Sequence, residues 1–142
     1  MCAMHSEEPN RILVVDDDVD LVMLLERKLV NLGFEVETAI SLPEAEDILR
    51  EFHPQLLLLD INLNGIDGRQ LSFKLRNSAT HHNVRIIMLS GYDCSASRAA
   101  LFGADELVVK PFSFEFLLNR IEHYLIQLVI QMKTNFEDPA QE

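Results

Sequence analysis

Five polar side chains stand directly after short apolar runs in this chain: Asp16 and Asp17 after residues 12–15, Asp60 after 55–59, Ser90 after 84–89 and Lys110 after 107–109. If each run is a strand of one parallel sheet, all five groups sit at C-terminal strand ends, where open α/β folds bind their ligands. Three carboxylates gathered there repel one another unless a divalent cation intervenes. Hard oxygen ligands with room for water suit magnesium or manganese. Beside such a cation Asp60 is able to attack a phosphoryl group and form an acyl phosphate. Lys110 brings a second positive charge and Ser90 a hydroxyl, and phosphoryl transfer asks for little beyond positioning and charge stabilisation.

The elements that must position these groups follow from the pattern of apolar residues. Runs of four to six alternate with longer stretches of helical period, as in a parallel sheet covered on both faces by helices. Five strand-plus-helix units are expected. Strand one spans 12–15, and Leu21, Leu24, Leu25, Leu29 and Leu32 then recur at helical spacing until Gly33 stops the helix. Residues 34–38 alternate as an edge strand does, and Ser41 with Glu44 forms a capping box for a helix reaching about Phe52. The most apolar strand, 55–59, belongs in the sheet centre, followed by a loop with Gly65 and Gly68 and a helix from Arg69 to about Asn77. Strand four, 84–89, leads to a helix through Arg98, Ala99 and Leu101, then Gly103 and a fifth strand around 107–109. The last helix starts near Ser113, with a stripe of Phe114, Leu118, Ile121, Leu125, Leu128 and Met132. That stripe outlasts an ordinary closing helix, and Ile126, Val129 and Ile130 add apolar surface, which points to a partner helix.

Bulk properties agree with one domain and exclude several classes of function. A chain of 142 residues, 48% hydrophobic, suits a single core. We expect a flexible tail over 1–9, a domain over 10–133 and an acidic disordered tail over 134–142. Aspartate and glutamate outnumber lysine and arginine by 23 to 12, and the resulting charge of −11 opposes direct binding of nucleic acid or an anionic membrane. No stretch reaches the roughly 18 apolar residues of a membrane span, and the start has no signal-peptide pattern. A cytoplasmic protein is expected. Cys2 and Cys94 lack metal-ligand spacing and read as free thiols.

The motifs Ile-Leu-Val-Val-Asp-Asp-Asp at 12–18, Leu-Leu-Leu-Leu-Asp at 56–60, Ser90-Gly91 and Lys110-Pro111-Phe112 together resemble those of two-component response regulator receiver domains, CheY-like proteins, over residues 10–132. The resemblance implies a flavodoxin-like, doubly wound α/β fold with a five-stranded parallel sheet in the order 2-1-3-4-5. It implies that Asp60 is the phosphoacceptor, taking its phosphoryl group from a histidine kinase or histidine phosphotransfer protein. It also implies that Asp16, Asp17, Asp60 and the backbone carbonyl of Asn62 hold Mg2+, or Mn2+, while Ser90 and Lys110 contact the phosphoryl oxygens. It further implies a cis Lys110-Pro111 bond that aims the lysine into the crevice, and that Asn62 and Tyr92 tune how long the phosphoryl group survives. The chain is then no enzyme beyond its own phosphorylation and dephosphorylation. Its output is a switched protein-binding surface or a domain outside this sequence. Two readings of the long last helix stand side by side: two copies form a homodimer, through it or through the fourth helix, fifth strand and fifth helix, or it continues as a signalling helix into an output domain outside this sequence.

Two positions depart from the family pattern. Leu107 occupies the place of the usual aromatic rotamer switch, so the aromatic inward and outward states are missing. Asn64 stands where proline is common, with an expected effect on loop stiffness alone. Other polar residues have plainer readings. Asp18, Asp20 and Asp67 suit helix starts or turns. His81 and His82 lie in an exposed loop, and His53 and His123 have no evident partners. The chief rival chemistry is a phosphatase of the haloacid dehalogenase type, which carries its nucleophile first, with a second aspartate two residues on. Here Asn62 holds that second position and the acidic pair leads, which argues against the enzyme. A flavodoxin-like cofactor binder or a pseudo-receiver has no need of the full acidic pocket.

Overall fold

The structure is a computed structural model that describes residues 10–91 and 102–137. Tyr92, Cys94 and the helix expected through Arg98, Ala99 and Leu101 lie outside the described residues, as do residues 1–9, Cys2 among them, and 138–142. The elements run β1 (Arg11–Val15), α1 (Val19–Asn31), β2 (Glu35–Ala39), α2 (Leu42–Leu49), β3 (Leu56–Asp60), β4 (Asn62–Leu63), β5 (Ile66–Asp67), α3 (Arg69–Arg76), β6 (Arg85–Ser90), β7 (Glu106–Val109) and α4 (Phe114–Glu137). Five strands form one parallel sheet in the order β2-β1-β3-β6-β7, which is the expected 2-1-3-4-5 once the small hairpin β4-β5 is set aside.

The strand runs are apolar because both faces of the sheet are covered. Ile12, Val14, Leu56, Leu58, Ile87, Leu89 and Val108 point to one face, packed by α1 and α4, and Leu13, Val15, Leu57, Leu59, Ile86 and Met88 point to the other, packed by α2 and α3. All of β3 is buried, as its unbroken leucines require of a central strand. β2 at the edge alternates exposed and half-buried residues before its buried final alanine.

Helix ends follow their local chemistry. Asp18 caps α1, its carboxylate accepting the Leu21 N–H at 3.1 Å. At the other end Phe34 N–H reaches the Leu29 carbonyl and Gly33 N–H the Val30 carbonyl, with Gly33 at φ 101°, a Schellman stop that needs glycine. Ser41 accepts the Glu44 N–H at 3.3 Å, and Glu44 returns to the N–H of Ile40, one residue before the cap. The regular helix ends at Leu49, and a last turn closed by the Phe52 N–H on the Ile48 carbonyl at 2.9 Å carries the chain to Phe52, before Pro54 bars helical conformation at the residue preceding it.

Several contacts differ from the sequence reading. His53 does have a partner: its ring stacks on His81, with centroids 5.1 Å apart. The loops before β3 and β6 meet at the N-terminal edge of the sheet and bring the two rings together, so His81 is half-buried rather than free in solvent. Burial, and then the charge of His53, hold the His81 imidazole below its ordinary range. His123 sits edge-on against Tyr124 and shares a hydrogen bond with Gln127. On α4 the buried stripe is Leu117, Ile121, Leu125 and Leu128, whereas Met132 is exposed, because the helix runs past the edge of the sheet. Ile126 and Ile130 face outward as expected.

Arg76, at the end of α3, was not foreseen as structural. Its guanidinium donates to the carbonyls of His82, Val84 and Gly103 and pairs with Asp105 at 3.0 Å. Asp105 in turn accepts the Ile86 N–H at 2.8 Å. One side chain thus ties α3 to the entries of β6 and β7, the strands that end in Ser90 and Lys110.

Candidate functional site

The sheet ladder continues past the formal strand ends and places the polar residues. Asp16 N–H donates to the Ala39 carbonyl at 3.1 Å, Ile61 N–H to the Leu89 carbonyl at 3.0 Å and Lys110 N–H to the Ser90 carbonyl at 2.7 Å. Asp60 pairs in register with Leu89 and Ser90 with Val109. Asp16, Asp60 and Ser90 are the buried polar residues of this edge, at 0%, 5% and 3% exposure, while Asp17 lies half-buried at the mouth.

Lys110 crosses the crevice, with its Nζ 2.7 Å from Asp16 Oδ2 and 3.7 Å from Asp60 Oδ2. The peptide bond Lys110-Pro111 is cis, as the resemblance implies. Asp16 also accepts the Asp18 N–H at 2.9 Å, and Asp60 accepts the Asn62 N–H at 3.2 Å. Asp17 is held from elsewhere: its Oδ2 accepts the N–H of Asn64 at 2.7 Å. Asn64 therefore does more than set loop stiffness. The Asn62 side chain does not point at Asp60 through its oxygen, which accepts the Gly65 N–H at 2.9 Å.

One carboxylate oxygen from each of Asp16, Asp17 and Asp60 lies within 4.8 Å of the others. The cost of that crowding appears at Asp60. Burial first, then the charge of Asp16, push its carboxyl up to about 6, with Lys110 and the Asn62 N–H acting in the opposite direction. Burial also works against the Lys110 ammonium, but the hydrogen bond and charge of Asp16, with the charge of Asp60, prevail and hold it above its ordinary range. An all-oxygen set of three carboxylates fits a hard divalent cation.

Sequence reading brought together Asp16, Asp17, Asp60, Ser90 and Lys110, and the structure places all five at one edge. It missed Gly68. A Cβ on that residue would lie 2.1 Å from the Asp60 carbonyl oxygen, and the Gly68 N–H bonds the Ile61 carbonyl, so the chain passes directly over the backbone of Asp60. At φ −65° the backbone itself would accept alanine, so the obstacle is space alone. Gly68→Ala is expected to destabilise the protein by about 2 kcal/mol in urea unfolding and to slow modification of Asp60. An unchanged unfolding midpoint would mean that the loop yields freely.

The family model described as response regulator receiver domain matches residues 12–122. The phosphate regulon transcriptional regulatory protein PhoB of Rhizobium meliloti is 40% identical over 117 residues, covering 81% of this chain and 52% of that protein. The transcriptional regulatory protein PrrA of Mycobacterium leprae is also 40% identical, covering 81% and 49%. The chain thus spans about half the length of these relatives. A CheY-like receiver domain from Methanospirillum hungatei superimposes with a TM-score of 0.77 at 28% identity, covering 86% of this chain and 98% of that one. NtrX from Brucella abortus gives 0.80 at 30%, covering 88% and 28%. Receiver domains are signalling modules rather than conventional enzymes, and no helix among the described residues is long and apolar enough to cross a membrane. With the sheet order and the acidic edge in place, this chain belongs to the response regulator receiver domain family, the phosphorylation-dependent signalling unit of two-component systems.

Proposed function

We propose that Asp60 accepts a phosphoryl group from the phosphohistidine of a histidine kinase or phosphotransfer protein. In that step an Asp60 carboxylate oxygen forms a bond to phosphorus, the phosphorus–nitrogen bond breaks, and its electron pair returns to the imidazole. The observation that carries the reading is the position of Asp60: it is buried at the end of the central strand, 3.7 Å from the Lys110 ammonium. Asp16, Asp17, Asp60 and the Asn62 carbonyl would hold Mg2+, or Mn2+, which supplies positive charge against the phosphoryl oxygens when bound. Lys110 meets those oxygens from the opposite side, and Ser90 offers its hydroxyl. Asn62, and Tyr92 from outside the described residues, set the lifetime of the adduct.

Leu107 packs against the α2 and α3 face of the core. Without an aromatic ring there, the response to phosphorylation travels through Ser90, Lys110 and the ends of β6 and β7. Two added negative charges beside Lys110 must draw on its bond to Asp16. The outward Ile126 and Ile130 of α4 suit a second helix, from another copy or from a longer chain.

Incubation with acetyl phosphate and Mg2+ followed by intact mass measurement tests the proposal. Wild type is expected to gain about 80 Da, one phosphoryl group, and Asp60→Asn to gain nothing. Equal gains on both proteins would move the acceptor elsewhere. No gain with acetyl phosphate or with a phosphohistidine donor would leave a domain that works through contacts alone.

A further inference from the structure

The turn of the small hairpin after Asp60 is built on two consecutive residues of positive φ, Asn64 at 53° and Gly65 at 85°. β4 and β5 pair antiparallel through Asn62 with Asp67 and Leu63 with Ile66, which leaves Asn64-Gly65 as a two-residue loop. Two left-handed residues in such a loop make the type I′ turn that Asn-Gly favours. The Gly65 N–H donates to Asn62 Oδ1 at 2.9 Å and fastens the turn from inside. With the backbone held so, the Asn64 N–H points away from the hairpin toward the loop after β1. It meets Asp17 Oδ2 at 2.7 Å, across 47 residues of chain.

This bond matters because the three carboxylates are not fixed alike. Asp16 is fully buried and held by Lys110 and the Asp18 N–H, and Asp60 by the Asn62 N–H near Lys110. Asp17 sits at the mouth, and its hydrogen bond comes from Asn64 alone among the contacts described. A short bond from N–H to an ionised carboxylate is strong and directional. It fixes the orientation of a carboxylate that contributes one oxygen to the cluster with Asp16 and Asp60.

We propose that Asn64 is a positioning residue for Asp17: the turn presents a main-chain N–H that presets the Asp17 carboxylate for a divalent cation and so raises the affinity of the acidic cluster. The inference rests on reading Asp16, Asp17 and Asp60 as a cation site. Partners that orient metal ligands commonly change affinity by about 10- to 100-fold. Proline at position 64 has no N–H, and its φ near −65° is incompatible with this turn. The departure from the family pattern at Asn64 is therefore a change in how Asp17 is held.

The test is Mn2+ binding to the full chain without any phosphoryl donor, read from the loss of the free-ion EPR signal. Asn64→Pro is expected to weaken binding by about tenfold. Asn64→Gly keeps both the N–H and the positive φ, and should bind within about twofold of wild type. In an Asp17→Ala background the further change Asn64→Pro should have no additional effect, since the group it positions is gone. Equal affinity of wild type and Asn64→Pro overturns the proposal. So does a similar weakening by Asn64→Pro in the Asp17→Ala background, which would reveal general damage to the loop. Wild type that takes up no Mn2+ overturns the cation site itself, a result distinguishable because every variant is then equally silent.

Discussion

Asp60→Asn is expected to make the metal-free protein more stable at pH 8, while abolishing its modification. The carboxyl of Asp60 is pushed up to about 6 from an ordinary 3.8, chiefly by burial and by the neighbouring Asp16. A group whose pKa is raised on folding contributes its full stability below the unfolded value and loses it as pH rises through the folded value. At pH 4 and below, wild-type Asp60 is largely neutral and the two proteins should unfold alike. Between pH 4 and 7 wild type alone loses stability, because an ionised Asp60 must face Asp16 and Asp17. At about 1.4 kcal/mol per pH unit the difference reaches roughly 3 kcal/mol at pH 8. Thermal scans in a chelating buffer at pH 4, 6 and 8 measure it directly, with a gap of about 10 °C expected at the highest pH. Added Mg2+ should raise the midpoint of wild type more than that of the variant. Parallel pH profiles would show that Asp60 ionises at no cost in the folded protein.

The same crowding explains what sequence could and could not reveal. Strand content was legible because burial on both faces makes strands such as Leu56–Asp60 uniformly apolar, and polar residues interrupt that run only where the chain leaves the core. The five site residues were legible for the same reason: each marks such an exit. Legibility failed where a contact depends on main-chain geometry rather than on side-chain type. Gly68 looks like any turn glycine until the Asp60 carbonyl is found 2.1 Å from where its Cβ would stand. Asn64 carries its effect through an N–H that every residue but proline possesses. Arg76 reads as one more charge at a helix end, yet four of its contacts reach residues 6 to 29 positions away. The His53 and His81 stack joins two loops that no periodicity connects. In each case the missing information is tertiary, and no local pattern encodes it.

Lys110→Met should have the opposite effect on stability to Asp60→Asn, and a larger one. Lys110 is the cation that lies between Asp16 and Asp60, 2.7 Å from one and 3.7 Å from the other. Its removal leaves Asp16, fully buried, beside a second carboxylate with no positive charge between them. Breaking a buried pair in this way costs about 3–5 kcal/mol, because the surviving charge keeps its desolvation penalty. The loss should be greatest above pH 7 in chelating buffer. Mg2+ should recover part of it, and the metal-induced rise in midpoint should exceed that of wild type. Modification of Asp60 by acetyl phosphate should fall about 100-fold even with saturating Mg2+, since a donor aimed at the developing charge on the phosphoryl oxygens is gone. The double variant Lys110→Met with Asp16→Asn tests the stability role alone, because Asp16 is also one of the residues that would hold the cation. Removing the stranded carboxylate should restore most of the stability, because a neutral amide beside methionine carries no charge to desolvate. If the double variant stays as unstable as Lys110→Met, the charge of Asp16 is not what Lys110 neutralises.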